Sequence, residues 1–396
     1  MFIAQRAERL QPSATLAVAG KAKAMKREGK PVISFGSGEP DFNSPASALQ
    51  YASDAMSKGF THYTPESGIP ELKEAVCRYY QDHFGLSFSV PEVLIGAGAK
   101  PLIYEALGCL LDPGDEALIF TPAWVSYVEQ IRLFDAKEVL VDTSDTGFIP
   151  DIDRVRSLIS PRTRCMIVNT PNNPTGSVYD RKTLLGLADI AIKHDITIIY
   201  DEIYERLVYG DAVHNQILNL CPAAREHTIT INGVSKAFAM TGWRIGYALG
   251  PKGIISKMSS FQGHLTSNPC SVAQYASLGA LRGAEDDVVR MHASFSGRRE
   301  RILGLLRDMP HIRFAEPKGA FYVWIDIEKT IGMRYGDRVI ENDASFCEIL
   351  LEAKYVAAVP GSGFLTPGNI RVSYANAEEE IVEGMKRLKE FLVELC

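Results

Sequence analysis

The sequence predicts an α/β fold: a large domain around a mostly parallel central sheet, with a smaller discontinuous α+β domain. Three observations predict it. Short apolar runs alternate with amphipathic segments from about residue 90 to 250, the pattern of βαβ units whose sheet is covered on both faces. Polar and glycine-rich residues fall at the ends of those runs, where open parallel sheets bind ligands. After roughly residue 285 the rhythm changes to a long charged helical stretch followed by separated strand-like runs.

In chain order, TLAVAGKAKAMKREGK has the apolar spacing and charged face of a helix, and VISFGSGEPDF reads as a strand ending in a turn. Both are expected to pack with the second domain. VLIGAGA, EALIF, KEVLVD, RCMIVNTP, ITIIYDE and TITINGVSK each read as a strand buried on both faces. KPLIYEALGCLL, with its helix starting near Pro101, and RKTLLGLADIAIKH supply amphipathic connections. RIGYALG reads as an added strand, with antiparallel pairing one option. SFSGRRERILGLLRDM is a charged helix; FAEPKGAFYVWIDI, YVAAVPGSGF and NIRVSYA are strands, and an amphipathic helix closes the chain. The expected division is a large domain at 45–285 and a small one made of 1–44 and 286–396.

Composition narrows the function classes. Of 396 residues, 46% are hydrophobic and 23% charged, with a net charge of −6, as in ordinary globular proteins. No basic block calls for nucleic acid or an anionic membrane. The N-terminal stretch lacks the pattern of a signal peptide, and no apolar run approaches the ~20 residues of a membrane span. The seven cysteines are dispersed and never form CxxC. That suits reduced thiols in the cytoplasm, and the eight histidines show no metal-ligand spacing.

Lys236 stands among small and apolar residues in NGVSKAFAMTGWRIG, with Arg244 eight positions on. A snorkelling surface lysine is one reading; an amine kept out of water for chemistry is the other. Asp201 ends the run ITIIY, where an unpaired carboxylate would be driven towards neutrality. Its partner is either a structural donor or a protonated ring nitrogen. GAGAK is either a tight turn or, leading into a helix, a phosphate cradle with a positive dipole end. Neither GxxxxGK[ST] nor GxGxxG is complete, so nucleotide cofactors are poorly supported. An amine, a strand-end carboxylate, a cradle and a nearby guanidinium are together the parts that pyridoxal phosphate requires.

The segments GEPDF, PNNPTG, DEIY and SKAFAMTGWRIGY, in that order, resemble those of class I aminotransferases. These are pyridoxal 5′-phosphate enzymes of fold type I, and the similarity is greatest to the bacterial aspartate aminotransferase subgroup, including aspartate/prephenate members. The resemblance runs from about residue 12 to residue 371. It implies that Lys236 is the Schiff-base lysine and the proton-moving base, and that Asp201 pairs with the pyridine nitrogen. It implies that Tyr204 and Asn173 bond the phenolic oxygen, and that Trp124 stacks on the ring. The backbone of Ala99 and Lys100, with Arg244, would hold the phosphate. Tyr63 would reach across a homodimer interface to the partner's phosphate, and Arg371, with Asn173 and Gly38, would grip the substrate α-carboxylate. Relatives often carry a hydroxyl three positions before the lysine; here that position is Gly233, and Ser235 is expected to supply the contact. Trp124 and Tyr63 also fit a plain role as packed aromatics.

The resemblance further implies a ping-pong transfer between an amino acid and a 2-oxo acid. The arginine with which animal-type aspartate aminotransferases bind a second carboxylate has no match in FQGHLTSNPCS. In the resembling subgroup, a lysine at Lys100 and a threonine at Thr15 serve dicarboxylates, which points to aspartate or glutamate with 2-oxoglutarate or oxaloacetate. As a structural alternative, Lys100 is an ordinary helix-start lysine. Prephenate or aromatic substrates, a lyase of the same fold, and a ligand-sensing module remain alternative readings.

Overall fold

The computed structural model describes residues 2–396, the side chain of Ala14 excepted. A short strand, β1 (Ile33–Ser34), precedes the central sheet. That sheet comprises β2 (Val93–Gly96), β3 (Glu116–Thr121), β4 (Lys137–Asp142), β5 (Thr163–Asn169), β6 (Thr197–Asp201), β7 (Thr228–Gly233) and β8 (Gly246–Leu249). Past residue 285 follow β9 (Arg313–Ala315), β10 (Tyr322–Asp326), the hairpin β11 (Arg334–Tyr335) with β12 (Arg338–Val339), then β13 (Val356–Ala357), β14 (Val359–Pro360) and β15 (Asn369–Ser373).

The central order is β2-β8-β7-β6-β5-β3-β4. Only β8, the RIGYALG strand, runs antiparallel to its neighbours; the other pairings are parallel. Because side chains alternate along a strand, the sheet feeds two cores. Leu118, Met166, Ile198 and Tyr200 face one; Ala117, Ile119, Cys165, Ile167 and Ile199 face the other, with Leu102, Ala106, Tyr127 and Ile131 from the helices above. Asp201 continues the Ile199 face by that alternation, so it emerges beneath the helices Ala99–Leu110 and Ser126–Arg132.

Two expectations need correction. KEVLVD is not buried on both faces: β4 pairs only with β3 at the sheet edge, and Lys137, Leu140 and Asp142 are exposed. The helix expected near Pro101 starts at Ala99. Gly98, at φ 103°, makes the turn that lets it begin immediately after β2.

Strands β14, β15, β10 and β9, in that order, form an antiparallel sheet. Against it lie the helices Glu285–Leu306, Asp343–Lys354 and Glu378–Val393, which bury Leu303, Phe346, Leu350, Met385 and Phe391. Parallel pairing of Ile33 with Val356 and Ser34 with Ala357 sets the N-terminal segment beside this C-terminal part. Among the described residues, no helix is long and apolar enough to cross a membrane.

Candidate active site

The C-terminal ends of five parallel strands open onto one cavity of about 440 Å³. Ala99 and Lys100 arrive after β2, Trp124 and Tyr127 after β3, Asn169 and Asn173 from β5, Asp201 and Tyr204 from β6, and Ser235 and Lys236 after β7. Thr15, Gly38, Tyr322 and Arg371 close it from the other sheet and the N-terminal segment.

Lys236 is largely buried, and its amine donates to the Gly38 carbonyl oxygen. Burial first, then the Arg371 and Arg244 guanidinium groups, pushes its pKa down to about 8; Glu39 and Asp201 oppose that shift. An amine so placed is neutral in an appreciable fraction near neutral pH, as a nucleophile and a proton carrier must be. Asp201 is 3% exposed. Burial pushes its pKa up to about 6, held from rising further by donation from Tyr127 Oη and the Ile203 N–H. Those bonds measure 2.5 Å and 3.2 Å. No ion pair meets Asp201 among the described residues, so a proton or a cation would relieve it.

The Ala99–Leu110 helix has no side-chain cap, leaving first-turn N–H groups and the dipole end open to an anion. Arg244 stands over this turn: a Cβ added to Gly98 would lie 2.5 Å from its Nη2. On the far side a Cβ on Gly246 would lie 2.5 Å from the Ala99 nitrogen, so only glycine lets β8 press against the cradle. The missing hydroxyl at Gly233 has a similar cause. Gly233 pairs with Gly246, and a Cβ there would meet the Ile245 carbonyl oxygen at 2.8 Å. Ser235 lines the cavity instead.

Arg371 is a fully buried guanidinium with no carboxylate partner among the described residues. Its Nη1 donates to Asn173 Oδ1 and its Nη2 to the Gly36 carbonyl, each at 2.9 Å, while Nε has no hydrogen-bond partner. Burial lowers its pKa. Asn169 sets the Asn173 loop: its Oδ1 accepts from the Asn173 N–H at 2.9 Å and its Nδ2 donates to the Asp201 carbonyl at 3.0 Å. Lys100 keeps much of its side chain in solvent. Its amine lies 4.9 Å from the Trp124 ring centroid, and partial burial, with Arg244, lowers its pKa. Thr15 Oγ1, buried in the same cavity, has no hydrogen-bond partner among the described residues.

These donors match what pyridoxal phosphate presents. A buried acid would meet a basic ring nitrogen, Tyr204 and Asn173 a phenolic oxygen, an uncapped helix start with Arg244 a phosphate, and a lowered-pKa lysine an aldehyde. Arg371 would then remain free for a carboxylate. One expected residue lies apart: Tyr63 is 91% exposed and does not line the cavity. Tyr127 and Tyr322 were not legible as site residues. Tyr127, in WVSY, stands three positions after Trp124 and is the only signal the sequence offers for Asp201's donor. Tyr322, in GAFYVW, lies in an apolar run that reads as plain core.

The sequence matches the family model for aminotransferase class I and II over residues 30–388. An aspartate aminotransferase of Geobacillus stearothermophilus is 42% identical over 393 residues, 99% of this chain and 99% of that protein. An aspartate/prephenate aminotransferase of Cereibacter sphaeroides is 39% identical over 393 residues, 98% of each. The solved structure of the Thermus thermophilus aspartate aminotransferase with maleate has 39% identity and a TM-score of 0.93, covering 99% of this chain and 100% of that one.

Proposed function

The chain belongs to the class I and II aminotransferases, pyridoxal-phosphate enzymes, and on that premise we propose that it moves the amino group between aspartate or glutamate and a 2-oxo acid, 2-oxoglutarate or oxaloacetate, in a ping-pong cycle. When bound, the cofactor supplies an aldehyde that condenses with amines and a ring that accepts electrons from the substrate Cα. Everything else falls to the chain. Lys236 would hold the cofactor, and its amine would move the proton at the substrate Cα. Asp201 would keep the ring nitrogen protonated, Tyr204 and Asn173 would bond the phenolic oxygen, and Trp124 would pack against the ring. The first-turn N–H groups of Ala99 and Lys100, with Ser235 and Arg244, would hold the phosphate. Arg371 fixes the substrate α-carboxylate, aided by Asn173 and the backbone at Gly38, which orients the Cα–H bond for transfer.

The observation that carries this reading is the Arg371 guanidinium, buried, without an anionic partner among the described residues, in the same cavity as the Lys236 amine. A buried cation lacking its anion is costly, and a substrate carboxylate supplies one. Specificity for a second carboxylate rests on Lys100 and the unpartnered Thr15 hydroxyl. That the Thermus thermophilus relative was solved with maleate, itself a dicarboxylate, supports it. Prephenate as a further acceptor is supported by the Cereibacter sphaeroides relative named for it.

The same reading makes the protein a homodimer, with Tyr63 entering the partner's site; its 91% exposure in the single chain supports this. We also read residues 45–285 as the cofactor-binding domain and 1–44 with 286–396 as the small one, a division the β1–β13 pairing supports. A cytoplasmic setting is supported by seven free, dispersed cysteines.

Rates of purified enzyme over a panel of amino acids and 2-oxo acids, prephenate included, test the substrate reading. Because Lys100 is partly solvated, its replacement by alanine should cost about tenfold in kcat/KM for aspartate and little for alanine as substrate. An equal loss for both substrates, or none, would contradict the dicarboxylate assignment.

A further inference from the structure

We infer that Tyr322 is a positioning residue acting through Tyr204: its ring supports Arg371, and its hydroxyl donates the hydrogen bond that frees Tyr204's single proton for the cofactor oxygen. The inference rests on the pyridoxal-phosphate reading above. It begins with strand register. In the antiparallel pair β10–β15, Tyr322 stands opposite Ser373, so Arg371 is its diagonal neighbour on the same face of the sheet. The guanidinium carbon lies 4.3 Å from the Tyr322 ring centroid, where the negative face of the ring partly offsets an otherwise unpaired charge.

The other end of the side chain has a different partner. Tyr322 Oη lies 2.8 Å from Tyr204 Oη, with the rings edge to face at 5.8 Å. Both residues are buried. Added to Gly38, a Cβ would lie 2.7 Å from the Tyr322 oxygen, so the hydroxyl is seated against the backbone whose carbonyl takes the Lys236 amine. Either hydroxyl could donate in this pair. Each has one proton, however. When Tyr204 donates its hydrogen bond to the phenolic oxygen, the bond between the tyrosines must be donated by Tyr322. A phenol that accepts one hydrogen bond becomes a stronger donor of the next. Tyr322 thus tightens the bond from Tyr204 to the cofactor oxygen, and that oxygen has less density left to hold a proton on the adjacent Lys236 nitrogen.

The two halves of the side chain therefore have separable effects. Replacing Tyr322 by phenylalanine keeps the ring under Arg371 and removes only the donor. The charged groups facing Lys236 are Arg371, Arg244, Glu39 and Asp201, and this substitution alters none of them.

The test is the near-visible pH titration of the cofactor-loaded protein, together with steady-state kinetics. For Tyr322→Phe the titration midpoint should rise by about half a unit, while KM for the amino acid stays within about twofold of wild type. Tyr322→Leu should raise the midpoint similarly and raise KM by about fivefold, since the ring is lost as well. An unshifted midpoint in Tyr322→Phe, beside a wild type that titrates, would overturn this inference and leave the functional reading standing. So would equal rises in KM for both variants. A loaded wild type without a near-visible band would remove the reading and the inference together.

Discussion

Tyr127 Oη donates to Asp201 Oδ2 at 2.5 Å, with both residues buried on the same face of the central sheet. The contact joins two helix-and-strand units: Asp201 ends β6, and Tyr127 opens the helix that follows β3. Each residue is unfavourable alone, a carboxylate and a hydroxyl shut away from water. Together they satisfy each other at Oδ2, while Oδ1 accepts from the Ile203 N–H at 3.2 Å, and the carboxylate lines the cavity.

Removing that donor should weaken the fold in a pH-dependent way. Asp201's pKa stands at about 6, above its ordinary value, so above pH 6 the folded protein carries the charged carboxylate that Tyr127 serves. Tyr127→Phe should cost about 1–3 kcal/mol in denaturant melts of cofactor-stripped protein at pH 8. The loss should shrink at pH 5, where the folded-state carboxyl is largely neutral. Equal losses at both pH values would deny the charge-specific role.

Restoring the hydroxyl that many relatives carry three residues before the lysine should harm this protein. The β7 and β8 backbones meet at Gly233 and Gly246, and any Cβ at 233 collides with the Ile245 carbonyl and the Gly246 Cα, at 2.8 and 2.9 Å. Gly233→Ser should destabilise the fold by about 1–3 kcal/mol without improving phosphate retention. Chemical denaturation and a cofactor-binding titration check the two halves. Tighter cofactor binding in a protein of unchanged stability would show that the strands can part.

Glu105 offers a stability prediction away from the site. It is wholly buried in the helix Ala99–Leu110, neither carboxylate oxygen has a partner among the described residues, and burial pushes its pKa up to about 8. The unfolded chain ionises from about pH 4.5, the ordinary value, while the folded chain resists until about 8. Stability contributed by this group is therefore complete below pH 4.5 and lost as pH rises to 8. Glu105→Gln should raise the melting temperature by a few degrees at pH 8, with an advantage that fades towards pH 4.5. A constant difference across that range would place the proton elsewhere.

Much of the architecture was legible because strand ends carry their chemistry with them. Asp201, Asn173, Lys236 and Ala99 each sit just past an apolar run, and the rule for open parallel sheets sends all of them to one crevice. Local pattern could not register neighbours across the fold. KEVLVD has the composition of a central strand, yet its edge position depends on sheet order, which no single segment encodes. Tyr322 reads as core because its hydroxyl partner, Tyr204, is 118 residues away. Gly233 shows as a departure from the family pattern, but the close approach of β8 that demands it is visible only in three dimensions.

Borohydride reduction of the pyridoxal-phosphate-loaded protein, followed by peptide mass spectrometry, tests most directly that the Lys236 amine carries the cofactor in the cavity it shares with Asp201 and Arg371. The label should fall on Lys236 alone, and Lys236→Ala should fold, fail to form a reducible near-visible band and lose transamination. A label on another lysine, or a Lys236→Ala protein that still turns over aspartate, would contradict the assignment.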